Sequence, residues 1–105
     1  MIGDVSRRIA LERPDREEDA GGGAEVVWVP VAVVWASIRS SASGEEIASD
    51  DFAARVSHEL RLRWRDDVRP GWRVLHGGRE LRVRAAVDRD GARRWLHLEC
   101  EEELR

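Results

Sequence analysis

This sequence lacks the residues and patterns that a membrane span, a set of disulfide bonds or a metal site would require. Its 105 residues contain a single cysteine, Cys100, which has no partner for an intramolecular disulfide and cannot make a metal site by itself. Cys100 alternates with Leu96 and Leu98, so we expect a buried thiol. No apolar run approaches the roughly 18–20 residues that a membrane helix needs. The N-terminus lacks a basic segment followed by an apolar one, so we predict cytoplasmic assembly and no membrane partner.

Lysine is also missing, and the basic residues do not dominate. The chain has 18 basic and 21 acidic residues, a formal net charge of −3, and every basic residue is arginine. A free-standing nucleic-acid-binding domain normally presents a basic face, so this balance argues against one. We favour a GC-rich coding sequence as the explanation for the arginines. The alternative is that the arginines are used at protein interfaces, because a guanidinium forms paired hydrogen bonds with a carboxylate and stacks on aromatic rings.

Catalytic and metal-binding patterns are missing as well. The three histidines, His58, His76 and His97, show no ligand spacing such as C-x2-C or H-x3-H. No G-x-S-x-G elbow offers a nucleophile, and the carboxylate pairs at 50–51 and 66–67 fall in expected turns, where solvated charge is ordinary. We therefore predict no enzymatic activity, no metal and no cofactor.

The sequence does contain regular alternation of apolar and polar residues, which is typical of β-strands. The organising stretch is 31–39, VAVVWASIR, apolar on both faces at its start and on one face at its end. Pro30 predicts a bulge or an edge position before it. Pro14 is expected to end the first strand. The other predicted strands are 7–13, 25–29, 55–64, 72–76, 80–87 and 94–100.

These strands predict one all-β domain over residues 1–105. Tight turns separate most of them, such as Gly77-Gly78, a strong hairpin signal. The expected fold is a small antiparallel barrel or sandwich of six to seven strands, with one long loop or short helix between two central strands. The ends, 1–4 and 101–105, are expected to be flexible.

The long connection lies at about 40–54, where the alternation stops. Ser43 and Glu46 fit a capping box, which predicts a helix of one or two turns anchored by Ile47 and Phe52. Four carboxylates make the connection acidic. Because most connections in compact domains have only about 4–6 residues, we expect this one to carry function.

A single-stranded nucleic-acid-binding barrel is the alternative function. Exposed arginines on the strands could follow phosphates, and Trp64 or Trp72 could stack on bases. Acidic residues interleave with these arginines, however, and the net charge is negative. The five tryptophans mostly fall on apolar faces, which favours the core or a subunit interface for them.

Five segments of the chain follow one another in an order that matches a known family. They are RRIALERP at 7–14, VVWVPVAVVWASI at 26–38, the polar interruption, RVSHELRLRWRDDVRPGWRVLHGGRELRV at 55–83 and DRDGARRWLHLEC at 88–100. In their pattern and spacing the sequence resembles the head-tail joining family of long-tailed bacteriophages and gene transfer agents, whose members are also called head-tail adaptor, head completion or stopper proteins. The most specific parts are Trp-Ala-Ser at 35–37, the Pro-Gly turn, Gly-Arg at 78–79 and the Arg-Arg-Trp-Leu run.

The resemblance implies a structural protein of the particle neck. Members of the family are small β-barrels that assemble into a ring, here of six or twelve copies. The portal-bound adaptor protein would lie above the ring, and the tail terminator or tail tube protein below it. Such a ring closes the DNA-filled head, provides the tail docking surface, and holds packaged double-stranded DNA in its channel without sequence specificity. Tail terminators share the barrel fold and are a further alternative, and the sequence does not decide between a phage and a gene transfer agent.

The resemblance also implies which residues act. In studied relatives the long connection points into the axial channel and helps to block DNA exit. The candidate channel-facing residues that would gate DNA are Glu45, Glu46, Ile47, Asp50, Asp51 and Phe52. The carboxylates would repel DNA phosphates, whereas the two apolar side chains would close the channel by bulk. The candidates for contacts with ring neighbours are Arg39, Arg61, Arg63, Arg82 and Arg84.

Overall fold

The computed structural model describes residues 5–18, 21–46 and 52–104, and every regular element in these ranges is a strand. The strands are β1 (Arg7–Glu18), β2 (Ala24–Glu46), β3 (Phe52–Arg63), β4 (Arg73–His76), β5 (Arg79–Val87) and β6 (Trp95–Leu104). They pair antiparallel in the order β1-β2-β3-β6-β5-β4, and β4 pairs back onto β1, so the sheet closes into a barrel. The predicted all-β antiparallel fold is confirmed, with six strands. No helix in the described residues could cross a membrane.

One core fills the closed sheet, because alternate residues of each strand point inward. All six strands contribute to it, and Leu11, Leu60, Leu62 and Leu98 are fully buried. Cys100 is buried as expected, and burial raises the pKa of its thiol to about 12. Among the described residues, the core cluster consists of Ile9, Leu11, Ala36, Leu60, Leu62, Val68, Trp72, Val74, Leu81, Val83, Leu96, Leu98 and Cys100.

Strand β2 organises the barrel because its two halves pair with different neighbours. Its first half pairs with β1 as far as Ala36, which lies opposite Arg7, and its second half pairs with β3 from Ala36, which also lies opposite Leu62. The two strands predicted at 25–29 and 31–39 are therefore one strand of 23 residues. Pro30 does mark a bulge: Glu12 lies opposite Pro30 and Leu11 opposite Ala32, which leaves Val31 as the extra residue.

The interruption predicted at 40–54 is mostly strand. Residues 40–46 of β2 and 52–58 of β3 form a continuous ladder, from Ser40 opposite His58 to Glu46 opposite Phe52. The expected helix beginning at Ser43 is therefore wrong, because Ser43 to Glu46 are extended and paired along β3. Polar residues form strand here because the backbone ladder, not an apolar face, holds them. Residues 47–51, which include Ile47, Asp50 and Asp51, lie outside the described residues.

Two strand ends extend beyond their predicted limits. Strand β1 continues through Pro14, which lies opposite Trp28. Beyond Glu12 this strand pairs only with β2, and an edge segment tolerates proline since alternate N–H groups point away from the partner. The segment 101–104, expected to be flexible, belongs to β6 and pairs with β3 as far as Leu104 opposite Ala54. Residues 1–4 and Arg105 lie outside the described ranges.

The β4–β5 hairpin turns as its two glycines predict. Gly77 and Gly78 have φ of 57° and 81°, and they connect His76 and Arg79, which pair as the first residues of the ladder. Two positive φ angles match a hairpin turn whose twist fits the flanking strands.

Replacing Gly77 by valine is expected to lower the free energy of unfolding by roughly 1–2 kcal/mol, because a β-branched residue is strained at this positive φ. Gly77→Asn is the matched control, since asparagine tolerates the left-handed region and is expected to cost clearly less. Urea denaturation of both variants measures the difference. Equal losses for valine and asparagine would contradict the assigned turn.

Candidate functional site

The second half of β2 forms an arm with β3 beyond the pairing of β1 with β2. Residues 37–46 of β2 pair with residues 52–61 of β3, whereas the pairing of β1 with β2 begins only at Arg7 opposite Ala36. Strand β6 covers the other edge of β3 as far as Leu104. Ten extended residues span roughly 33 Å. The backbones of Glu45, Glu46 and Phe52 lie at the far end of this arm, where they lead into 47–51.

A buried polar network holds the base of the arm. Ser40 Oγ lies 2.7 Å from His58 Nδ1, and His58 Nε2 lies 3.0 Å from Glu102 Oε1. Arg79 donates to both oxygens of the same carboxylate, with 2.8 Å between its Nε and Oε2. His58 and Glu102 are 4% and 5% exposed. The network therefore ties β2, β3 and β6 of the arm to the start of β5.

The protonation of this network follows from its partners. The Arg79 hydrogen bonds, with a smaller contribution from His58, hold the pKa of the Glu102 carboxyl below its usual range despite its burial. An ionised carboxylate only accepts hydrogen bonds, so His58 Nε2–H donates to it. The other ring nitrogen, Nδ1, is hydrogen-bonded to Ser40 Oγ. Every member is satisfied, which stabilises a buried polar cluster.

Ser40, His58 and Glu102 are hydrogen-bonded in the same order as the serine, histidine and carboxylate of a hydrolase catalytic triad. In such a triad the carboxylate stabilises the imidazolium that forms when histidine takes the serine proton. Here the Arg79 guanidinium already neutralises Glu102, which weakens that stabilisation. The geometry favours a structural network that fixes the arm to the barrel.

The arginines predicted to contact ring neighbours are spread over the outer face, and most already have partners within the chain. Arg61 and Arg63 stack on Trp95, with guanidinium carbons 4.6 Å and 4.8 Å from the ring centroid. Arg82 stacks on Trp28 at 4.6 Å, and Arg84 donates to Glu101 at 2.8 Å and 3.1 Å. Arg39 is exposed and borders a polar cleft near the arm. These residues do not form one basic surface.

The tryptophans fall into two groups. Trp72 is 8% exposed and belongs to the core, and Trp64 packs against that core. Trp28, Trp35 and Trp95 lie further out, each under at least one arginine: Arg73 and Arg82 on Trp28, Arg8 on Trp35, and Arg61 and Arg63 on Trp95. Stacking on aromatics is one use of arginine that lysine does not replace well.

Two buried carboxylates were not identified from the sequence. Glu12, which is 9% exposed, accepts a hydrogen bond from Arg73 at 2.5 Å, and no spacing in the sequence pointed to this pair. Glu102 was placed in a flexible tail. The signal for Glu102 was present, because the alternation of Leu96, Leu98 and Cys100 continues to position 102 and puts its side chain on the inner face.

Within the described residues, the histidines and acidic residues do not come together as a metal site. His58 is held by Ser40 and Glu102, while His97 lies on the outer face opposite Arg61. Burial lowers the pKa of His97, and the nearby Arg89 adds to this effect. Across 5–18, 21–46 and 52–104 no group of three or more possible ligands comes together.

The six-stranded closed sheet and its paired arm also match a known protein family. The model of the phage head completion protein family matches residues 1–103. The chain belongs to this family.

Solved structures agree with this assignment. The chain is similar to a protein of the virion of a native gene transfer agent particle, with 28% identity, a TM-score of 0.77 and 94% of each chain covered. It is also similar to protein SF1141 from Shigella flexneri 2a, with 24% identity, a TM-score of 0.72, and 96% of this chain and 95% of that chain covered. The second likeness shows the fold alone. No curated protein sequence matches significantly.

Family membership and the likeness to a virion protein confirm three predictions from the sequence: the family, the structural role in the head-tail neck, and the location in the particle. The protein assembles with other proteins of that particle, and its family indicates a structural role rather than a catalytic one.

Proposed function

We propose that copies of this chain form a ring in the neck and that the ring stops DNA from leaving the filled head. The portal-bound adaptor would lie above the ring, and the tail terminator or tail tube protein would dock below it. The observation that carries this proposal is the β2–β3 arm, which extends about ten residues beyond the pairing of β1 and is anchored at its base by buried side chains. No catalytic step is part of this role.

The arm supports a channel function for three physical reasons. Its paired strands and the network of His58 and Glu102 give it a fixed direction, which a plug requires. Its end carries Glu45 and Glu46 on β2, and the chain continues through two aspartates before Phe52. Carboxylates facing a channel repel the phosphates of double-stranded DNA, so DNA slides without sequence-specific binding. Ile47 and Phe52 would supply the apolar bulk around the axis.

Electron microscopy of particles that lack this protein tests the role in the neck. We expect DNA-filled or leaking heads separate from finished tails, because the tail docking surface would be missing. Complete particles with attached tails would overturn the proposal. In complete particles containing the protein, the neck density also gives the copy number, for which the family resemblance suggests six or twelve.

Shortening the arm tests the stopper function separately. Glu46 pairs with Phe52, so replacing 47–51 by Asn-Gly leaves a closing pair for a two-residue hairpin turn. We expect tails to attach but most heads to lose DNA, measured as nuclease-resistant DNA per particle. A variant with the four carboxylates Glu45, Glu46, Asp50 and Asp51 changed to amides is the control, and it should retain DNA if bulk closes the channel. Normal DNA retention in the shortened variant would show that residues 47–51 at the end of the arm do not close the channel.

A further inference from the structure

An apolar cleft opens at the edge of the barrel where β2 and β3 part, between residues packed against the core and residues of the outer face. The pairing of these strands stops at Ala36 opposite Leu62, and the cleft opens just beyond it with a volume of about 630 Å³. Its lining is Val5, Val34, Trp35, Arg63, Trp64 and Arg65. Trp35 is 53% exposed and the neighbouring outward residue, Val33, is 60% exposed. Exposed tryptophan beside arginine is typical of the residues that dominate protein interfaces.

Three arginines border this cleft, and one of them is paired with an aspartate. Arg8 stacks over Trp35, with 5.3 Å between its guanidinium carbon and the ring centroid, and Arg63 stacks over Trp95 at 4.8 Å. Arg65 pairs with Asp67 through two hydrogen bonds of 2.8 Å and 3.1 Å. Stacking engages the flat face of a guanidinium, so its edge keeps N–H groups for a carboxylate. The cleft therefore suits an occupant that is apolar at its centre and acidic around it.

The β1–β2 hairpin of the same chain has this chemistry. Beyond Glu12 it consists of two strands only, residues 13–18 and 24–29. Asp15 lies opposite Val27 and Glu17 opposite Glu25, so all four side chains share one face. They are exposed, with Val27 as the exposed apolar residue among three carboxylates. Arg13 and Val29 pair on the same face, which therefore carries three acidic residues and one basic residue. Like charges directly opposite each other destabilise a strand pair, so this face gains from a basic partner.

The hairpin cannot fill the cleft of its own chain. Val27 and Trp35 lie on the same extended strand, eight residues apart, which is roughly 26 Å at 3.3 Å per residue. A second copy of the chain is therefore the occupant, because the charge and the apolar residue of its hairpin match the arginines and the apolar lining of the cleft.

We propose that the acidic face of the β1–β2 hairpin docks in the apolar cleft of the next copy of this chain. Val27 packs against the two tryptophans of the cleft, and the hairpin carboxylates pair with the arginines of its rim. The contact joins two different surfaces, so each copy offers one hairpin and one cleft. Such head-to-tail contacts form a closed ring when the rotation between neighbouring copies closes. The inference rests on the proposed function, because the neck ring is the assembly in which this contact forms.

Thiol cross-linking in purified particles tests this contact. Val27→Cys and Val33→Cys place one thiol on the hairpin and one at the edge of the cleft, both at exposed positions. The native Cys100 is buried, and its raised pKa of about 12 keeps it unreactive towards a short bis-maleimide. With both substitutions in one chain, we expect a denaturing gel to show a ladder of products beyond the dimer. Particles built from a mixture of the two single variants should stop at the dimer.

A matched control uses Glu80→Cys in place of Val33→Cys. Glu80 is exposed on β5 beside the Gly77-Gly78 turn and away from the cleft, so its pairing with Val27→Cys should give no ladder. Tailed particles that contain the double variant but give no ladder would overturn the docking inference and leave the neck function standing. Absence of the chain from tailed particles would instead overturn the proposed function, and the inference with it.

Discussion

Replacing Leu60 by alanine is expected to lower the free energy of unfolding by about 3 kcal/mol, the largest effect of any single substitution considered for stability. Leu60 is fully buried in the middle of β3, between Ile38 on β2 and Leu98 on β6. Truncating a buried leucine loses its transfer free energy and leaves a cavity, a combined loss of roughly 2–5 kcal/mol. A closed sheet relaxes little around such a cavity, because the strands on both sides are fixed by their ladders.

Val33→Ala is the control for this prediction. Val33 is 60% exposed on the neighbouring strand, so its truncation should change the free energy of unfolding by less than about 0.5 kcal/mol. Urea denaturation measures both variants. Since small domains are stable by only about 5–15 kcal/mol, the Leu60 variant should show a clearly lower midpoint. Similar midpoints for the two variants would contradict the placement of Leu60 at the centre of the core.

Replacing Glu102 by alanine is expected to cost about 2 kcal/mol, because His58 then keeps a buried donor without its acceptor. Glu101 is a matched control on the same strand, since it pairs with the exposed Arg84. An exposed ion pair contributes little, so Glu101→Ala should cost less than about 1 kcal/mol. Equal losses from the two substitutions would mean that the buried network does not hold the base of the arm.

The pH dependence of stability distinguishes charge from packing at Glu102. The pKa of its carboxyl is lower in the folded chain than its ordinary value of 4.5, chiefly because of the Arg79 hydrogen bonds. A depressed carboxyl pKa adds stability above the unfolded value, and this contribution is lost as the pH falls towards the folded value. The stability difference between the wild type and Glu102→Gln should therefore shrink below about pH 4.5. A difference that stays constant from neutral to acidic pH would contradict the ionised state assigned to Glu102.

Most of the barrel could be predicted from alternation alone, because the inward face of its strands is mainly apolar, with His58 and Glu102 as polar exceptions. The 55–64 segment shows this well: Val56, Leu60 and Leu62 all point into the core as expected. The Gly77-Gly78 turn was equally predictable, since few residues other than glycine accept two successive positive φ angles. Pro30 also marked its bulge correctly.

The arm could not be predicted in the same way. Ser40, Ser41 and Ser43 carry no apolar period, so the stretch resembled a loop, and Ser43 with Glu46 resembled a helix start. Backbone pairing with β3 decides its conformation, and β3 is in turn covered by β6 at the distant end of the chain. Such pairing is non-local, so no window of sequence around residue 43 contains it.

Alternation in the sequence predicts the strands outside the arm, the apolar face of most of them and the tight turns, and the family pattern predicts a role in the particle neck. Three features follow instead from strand pairing in three dimensions: β2 is a single strand shared by two hairpins, Glu102 is buried beside His58, and Trp35 remains exposed at a cleft. The physical reason is that alternation specifies which side of a strand is apolar, whereas closure of the barrel decides which strands meet and which apolar residues stay uncovered.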